Sequence, residues 1–184
     1  MSVILNPIDP RALLVGLAAL MLSGLLCAEE PQVIAGDFSV LGDTRWRGVL
    51  RYLDYSSAKQ QQIPVELMFE KPGKRRVVYR IRYPGEEQYN QKEKLKWSGD
   101  GRKLNGEKII SRSEGPDGTL TLVTRDTGND NNQPADIRMT YAFSATAIEI
   151  RKEVRPRGTD AFFERNAYVL EPMTPEAAAN AESE

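Results

Sequence analysis

From about Thr44 to Leu170 apolar residues recur at every second position, and clusters of Gly, Pro, Asp and Ser interrupt the alternation at short intervals. A period of two belongs to strands with one buried face, so the pattern predicts an antiparallel all-β domain without a long helix. The first strand, Thr44 to Asp54, places Trp46, Gly48, Leu50 and Tyr52 on one face and Arg45, Arg47 and Arg51 on the other. The second, Gln62 to Lys71, turns Ile63, Val65, Leu67 and Phe69 inward. The third alternates Val77, Tyr79, Ile81 and Tyr83 with Arg76, Val78, Arg80 and Arg82. The fourth, near Tyr89 to Trp97, sets Tyr89, Gln91, Glu93, Leu95 and Trp97 against Lys92, Lys94 and Lys96. A helix would scatter these charges around its axis. Five further strands are predicted at Lys108 to Ser113, Thr119 to Arg125, Ile137 to Ser144, Ala147 to Arg155 and Phe162 to Leu170.

The links are short and carry turn chemistry, as in Pro72-Gly73-Lys74, Gly115-Pro116-Asp117-Gly118 and Pro156-Arg157-Gly158. About nine evenly spaced strands with such links predict a meander that closes, or nearly closes, into a barrel and so removes its exposed edges. A two-sheet β-sandwich is the alternative, but it needs crossovers, and only the segment around Thr127 to Pro134 has the length of one. The expected organisation is an N-terminal signal over 1–28, a lead-in over 29–43 with no assigned element, the barrel over 44–171, and a disordered acidic tail over 172–184.

The signal follows from the uncharged apolar run Leu13 to Leu26, preceded by Arg11 and followed by Cys27, Ala28, Glu29 and Glu30. That is the layout of a secretory signal cleaved after Ala28, and the run is shorter than the roughly 20 residues of a membrane-spanning helix. Lipid attachment at Cys27, the one cysteine of the chain, is an alternative, although bulky Leu26 precedes it. The expected location is the bacterial periplasm or cell envelope, with membrane contact if Cys27 is lipidated or the signal stays uncleaved. The globular part then carries no cysteine, and its stability rests on a packed core.

Chemistry is narrowed by what is missing. The 184 residues contain no histidine, which excludes His-dependent triads, imidazole metal sites and haem held by a proximal His. Neither a Gly-Lys-Ser/Thr phosphate loop nor a Gly-x-Ser-x-Gly elbow occurs. Asp54 and Glu93 share the inner parity of their strands, yet carboxylates near strand ends are normally solvated or paired. The oxygen-rich segment Asp126 to Asp136 lacks the acidic spacing and terminal Glu of an EF-hand loop and reads as a surface turn. Accordingly, no catalytic site, cofactor or metal is expected.

The inner faces are rich in aromatic residues: Trp46, Tyr52, Tyr79, Tyr83, Trp97, Tyr141 and Tyr168. Rings with polar tips suit a cavity for an amphipathic ligand, and they equally serve as ordinary barrel filling. Charge is unevenly spread. The chain has a formal net charge of −1, yet Lys71 to Arg112 holds thirteen Lys and Arg against five Asp and Glu. In a meander Arg76, Arg80 and Arg82 share an outer face with Lys92, Lys94 and Lys96, where like charges directly opposed cost roughly 0.2–1 kcal/mol per pair. An anionic envelope component would offset that cost, and a solvated face is the alternative. Arg45, Arg47 and Arg51 are expected to pair with Glu66 and Glu70. Export and a pI near 5.7 argue against nucleic acid.

A signal sequence, a Trp on the inner face of the first strand, a meander of about nine strands and an Arg on the last strand resemble the calycin group, which includes lipocalins and fatty-acid-binding proteins. Trp46 matches the tryptophan that closes one barrel end in lipocalins, and Arg165 the last-strand basic residue that packs across it. Lipocalins place a Gly two residues before that Trp, whereas here Gly48 follows it. The resemblance implies a cavity for an apolar or amphipathic small molecule. The expected function is therefore non-enzymatic binding within the barrel, or alternatively an interaction module that uses the basic outer face.

Overall fold

The computed structural model describes residues 29–174, so the predicted signal, Cys27 and most of the predicted acidic tail lie outside the described residues. Ten antiparallel strands form one sheet: β1 (Arg45–Asp54), β2 (Lys59–Phe69), β3 (Arg76–Arg82), β4 (Gln91–Lys96), β5 (Lys103–Leu104), β6 (Glu107–Glu114), β7 (Leu120–Asp130), β8 (Gln133–Phe143), β9 (Ile148–Pro156) and β10 (Phe163–Pro172). Their order, β4-β3-β2-β1-β10-β9-β8-β7-β6-β5, is a meander in which the first and last strands pair. The sheet curls until its edges touch at the Trp97↔Leu104 bridge, reinforced by Asn105 N to Lys96 O (2.6 Å) and Ser98 N to Lys103 O (3.0 Å). The all-β barrel read from the alternation is what the chain forms, and the sandwich is not.

Two differences follow from turn geometry. The segment Asp126 to Asp136, expected as a surface turn, instead continues β7 and β8 into a long hairpin whose two-residue turn is Asn131-Asn132. Both asparagines have positive φ, 47° and 61°, which is the requirement of a hairpin turn that follows strand twist. The tenth strand, β5, is two residues long and pairs with β6 through the Asn105-Gly106 turn, too short for periodicity to register.

The lead-in, given no element from sequence, is part of the barrel. Its 3₁₀ helix, Ala35–Leu41, inserts Phe38 and Leu41 fully buried, and Phe38 stacks on Trp97 at 4.6 Å and meets Phe143 at 6.0 Å. Asp37 caps this helix by accepting from Ile34 N (3.0 Å) and takes a two-pronged hydrogen bond from Arg112 of β6 (3.0 and 2.5 Å). Trp46, Leu67, Val77, Leu95, Leu104 and Ile148 complete this plugged end. Gly48 sits where β1 and β10 approach closely, since a Cβ there would lie 2.0 Å from Val169 O.

Candidate functional site

At the end opposite the plug the barrel stays open. Leu50, Tyr52 and Ile63 from β1 and β2, Tyr83 and Glu86 after β3, Tyr89 and Gln91 at the start of β4, and Arg165 and Asn166 of β10 line an open cleft of about 400 Å³. Register explains the assembly: Leu50 lies opposite both Ile63 and Tyr168, and Tyr52, two residues on, opposite Asn166, so these side chains occupy adjacent levels of the interior. Leu50 and Ile63 give an apolar wall, three tyrosine rings line the sides, and amide and charged groups stand at the rim. Behind the wall the Tyr83 and Tyr168 hydroxyls are 3.0 Å apart, and Gln91 donates to Tyr83 at 3.5 Å.

The open half is also open at the side. β6 pairs with β7 only from Lys108↔Arg125 to Glu114↔Leu120, so Asp126–Asp130 of β7 pairs with β8 alone among the described residues. Across the gap, Gln91–Leu95 of β4 pairs with β3 alone. The wall of the barrel is thus missing beside the cleft and continuous beside the plug.

The predicted aromatic set divides between the two halves. Tyr52 and Tyr83 line the cleft, and Tyr168 holds Tyr83 from behind. Tyr79 is a half-buried interior residue stacked on Phe69 at 5.1 Å. Trp46, Trp97 and Tyr141 are core, at 1%, 8% and 3% exposure, and do not line the cleft. Trp46 instead donates its indole N–H to Thr44 at 2.8 Å. Tyr89, expected inward, is 62% exposed because the 3₁₀ turn Glu87–Tyr89 precedes β4 and lifts it to the rim.

Arg165 does not pack across Trp46. The register pairs Trp46 with Pro172 and Tyr52 with Asn166, which puts Arg165 at the opposite end of β1. It is the residue skipped by a β-bulge between Glu164 and Asn166, and a bulge re-aims the side chain it carries. Its guanidinium lies 4.3 Å over the Tyr55 ring, donates to Leu53 O and stands 3.7 Å from Asp130. Asp130, at the tip of the β7–β8 hairpin, also accepts from the Tyr55 hydroxyl and from Lys152 Nζ at 3.0 Å. This knot ties the hairpin tip to the β1–β2 turn.

Burial pushes the phenols of the interior upward. Tyr79 reaches about 12 through burial and then the neighbouring Glu93 carboxylate, and Tyr168 is raised by burial and its bond to Tyr83. Burial also raises Glu107, which accepts from the fully buried Thr124 hydroxyl. Burial would raise Asp130 as well, but the bonds from Tyr55 and Lys152 and the charges of Lys152 and Arg165 outweigh it and leave the carboxyl low. Asp54 and Glu93 do not form a buried acidic pair. Glu93 is exposed, and Asp54 is held by Ser56 and Ser57, whose bonds bring it to about 2. Among the described residues no group of three or more carboxylates has the spacing to hold a metal ion.

On the outer wall Arg76 faces Lys96 and Arg80 faces Lys92 in direct register, with Lys94 between them. Glu66 and Glu70 do not serve Arg47 and Arg51. They pair instead with Arg82 (3.6 Å) and Lys92 (3.0 Å), while Arg47 and Arg51 reach Glu171 and Glu164 of β10, both at 3.3 Å. The reason is strand order: β10, brought beside β1 by barrel closure, offers its own carboxylates.

No protein-family model matches the chain, and no curated protein matches it in sequence. Among solved structures, the crystal structure of Rv2717c from M. tuberculosis is similar with a TM-score of 0.51 at 14% identity, over 78% of this chain and 100% of that one. The likeness is one of fold, a nearly closed antiparallel barrel.

Proposed function

We propose that this is an exported, non-enzymatic protein that binds one apolar or amphipathic small molecule in the open half of its barrel, in the manner the calycin resemblance implies. The observation that carries the reading is the contrast between the two ends. At one end Phe38, Leu41 and Trp46 fill the interior, and the cleft of about 510 Å³ there lies beside Val40, Arg45 and Met173, whereas at the other end a cleft of about 400 Å³ reaches the inner-face residues Leu50, Ile63 and Tyr83. Small-molecule sites occupy roughly 300–1,000 Å³ and combine apolar walls with a few polar groups that fix orientation. Leu50, Ile63 and the rings of Tyr52 and Tyr83 supply the first, and Gln91, Asn166 and Arg165 the second. The missing wall between β4 and β7 gives a long molecule room to enter sideways.

Native mass spectrometry of the protein purified from its own cells tests this. The expected result is a small-molecule adduct that is absent from Ile63→Trp, a variant that fills the cleft while keeping the fold. A bare protein mass, or an adduct that persists in the filled variant, would overturn the reading.

A further inference from the structure

The basic face read from β3 and β4 continues across the seam of the barrel. Lys103 of β5 stands opposite Lys108 of β6, and Lys108 opposite Arg125 of β7, all on outward parity. With Arg76↔Lys96 and Arg80↔Lys92 this makes one cationic strip over the four neighbouring strands β3 to β6, about 15 Å across at normal strand spacing, beyond which Arg125 of β7 is paired with Asp136. Among the described residues Arg76, Arg80, Lys94, Lys96, Lys103 and Lys108 have no carboxylate partner, although other cations of this barrel do.

Lysines on an edge strand discourage edge-to-edge pairing, which would account for Lys94 and Lys96. That explanation does not reach Arg80, because β3 is hydrogen-bonded on both sides there, to Met68 and to Lys92. Cations set directly opposite one another destabilise a sheet, and an anionic surface offsets the cost. Two exposed apolar groups border the strip: Ile110, 44% exposed and two residues along from Lys108, and Tyr89, 62% exposed ahead of Lys92. A soluble polyanion offers charge alone. A bilayer surface offers phosphate charge together with an interface where a tyrosine ring and an aliphatic chain can rest.

We propose that the strip formed by Arg76, Arg80, Lys94, Lys96, Lys103 and Lys108 docks the barrel onto the anionic headgroup surface of a phospholipid bilayer, seam side down. None of these six cations lines the cleft; Tyr89, at the cleft rim and at the border of the strip, is the one residue common to both.

Sedimentation with vesicles of phosphatidylcholine, alone or with about a third phosphatidylglycerol, tests it at low and high salt. The protein purified from its own cells after export should bind the anionic vesicles only, and raising the salt from about 0.05 M to about 0.5 M should release it. The double variant Lys96→Glu/Lys108→Glu turns like-charge register pairs into opposite ones. Its melting temperature should be unchanged or higher while vesicle binding falls at least about tenfold. Arg157→Glu, in the β9–β10 turn, should bind as the parent does. No binding to anionic vesicles at low salt, or equal binding by the double variant, would overturn the proposal. So would unchanged vesicle binding by Ile110→Ser together with equal retention of the parent on dextran sulfate, which would make the partner a soluble acidic polymer.

Discussion

Asp130 has three groups on one carboxylate: the Tyr55 hydroxyl, Lys152 and Arg165, whose guanidinium also donates to the Leu53 carbonyl. Its side chain is 8% exposed, so neutralising it leaves two partly buried cations without an anion. Asp130→Asn should cost about 2 kcal/mol in urea unfolding at pH 7, below the cost of breaking a fully buried pair because Lys152 and Arg165 retain some water. The sign of the pH dependence follows from the lowered value. The unfolded chain takes up the proton first as pH falls, so the stability held by Asp130 is complete above the ordinary carboxylate value of 3.8 and drains away as pH drops through the lower folded value. The two proteins should therefore converge in stability on acidification, and a gap that stayed constant from pH 7 to pH 2 would show that Asp130 acts otherwise. None of these partners is visible as such in the sequence. Tyr55, Asp130, Lys152 and Arg165 lie on different strands or turns, and a bulge at Arg165 breaks the parity by which its direction would be read.

The strands were legible because alternation survives wherever one face is buried, and the inner residues Val77, Ile81, Leu95 and Ile109 are all below 4% exposed. The plug was not legible. In residues 29–43 the buried Val33, Phe38 and Leu41 follow neither a strand nor a full helical period, since Phe38 and Leu41 belong to a short 3₁₀ segment held by Asp37 and Arg112, and Val33 precedes it, held by its N to Gly101 O bond of 2.8 Å. A segment draped on the surface would tolerate truncation of its side chains. Phe38→Ala should instead cost about 3–5 kcal/mol, as for a large aromatic removed from a packed core. A loss under about 1 kcal/mol in the same urea experiment would mean that the plug is not part of the cooperative unit. The Asn131-Asn132 hairpin was hidden for a different reason: its oxygen-rich strands are polar on both sides at the tip, so period two fades where Asp130 and Asn131 extend beyond the core.

At the scale of the whole molecule, meander order with β1 against β10 decides what the inner face can become. The sequence places seven aromatics inward but carries no mark of which end the lead-in will fill, so Trp46, Trp97 and Tyr141 read no differently from Tyr52 and Tyr83. Closure sorts them: the plug takes the first group into the core, and the seam, joined among the described residues only near Trp97, leaves Tyr52, and the 7%-exposed Tyr83 that also lines the cleft, toward an open wall. On the proposed function this open half is a binding cavity rather than a gap in packing. Titration of the folded protein with anilinonaphthalene sulfonate, an apolar ring system with one anionic group, addresses it directly when run beside Ile63→Trp at matched thermal stability. A binding cavity predicts saturable one-to-one fluorescence enhancement in the parent and its loss in the filled variant. Enhancement that does not saturate, or that is the same in both proteins, would contradict the account.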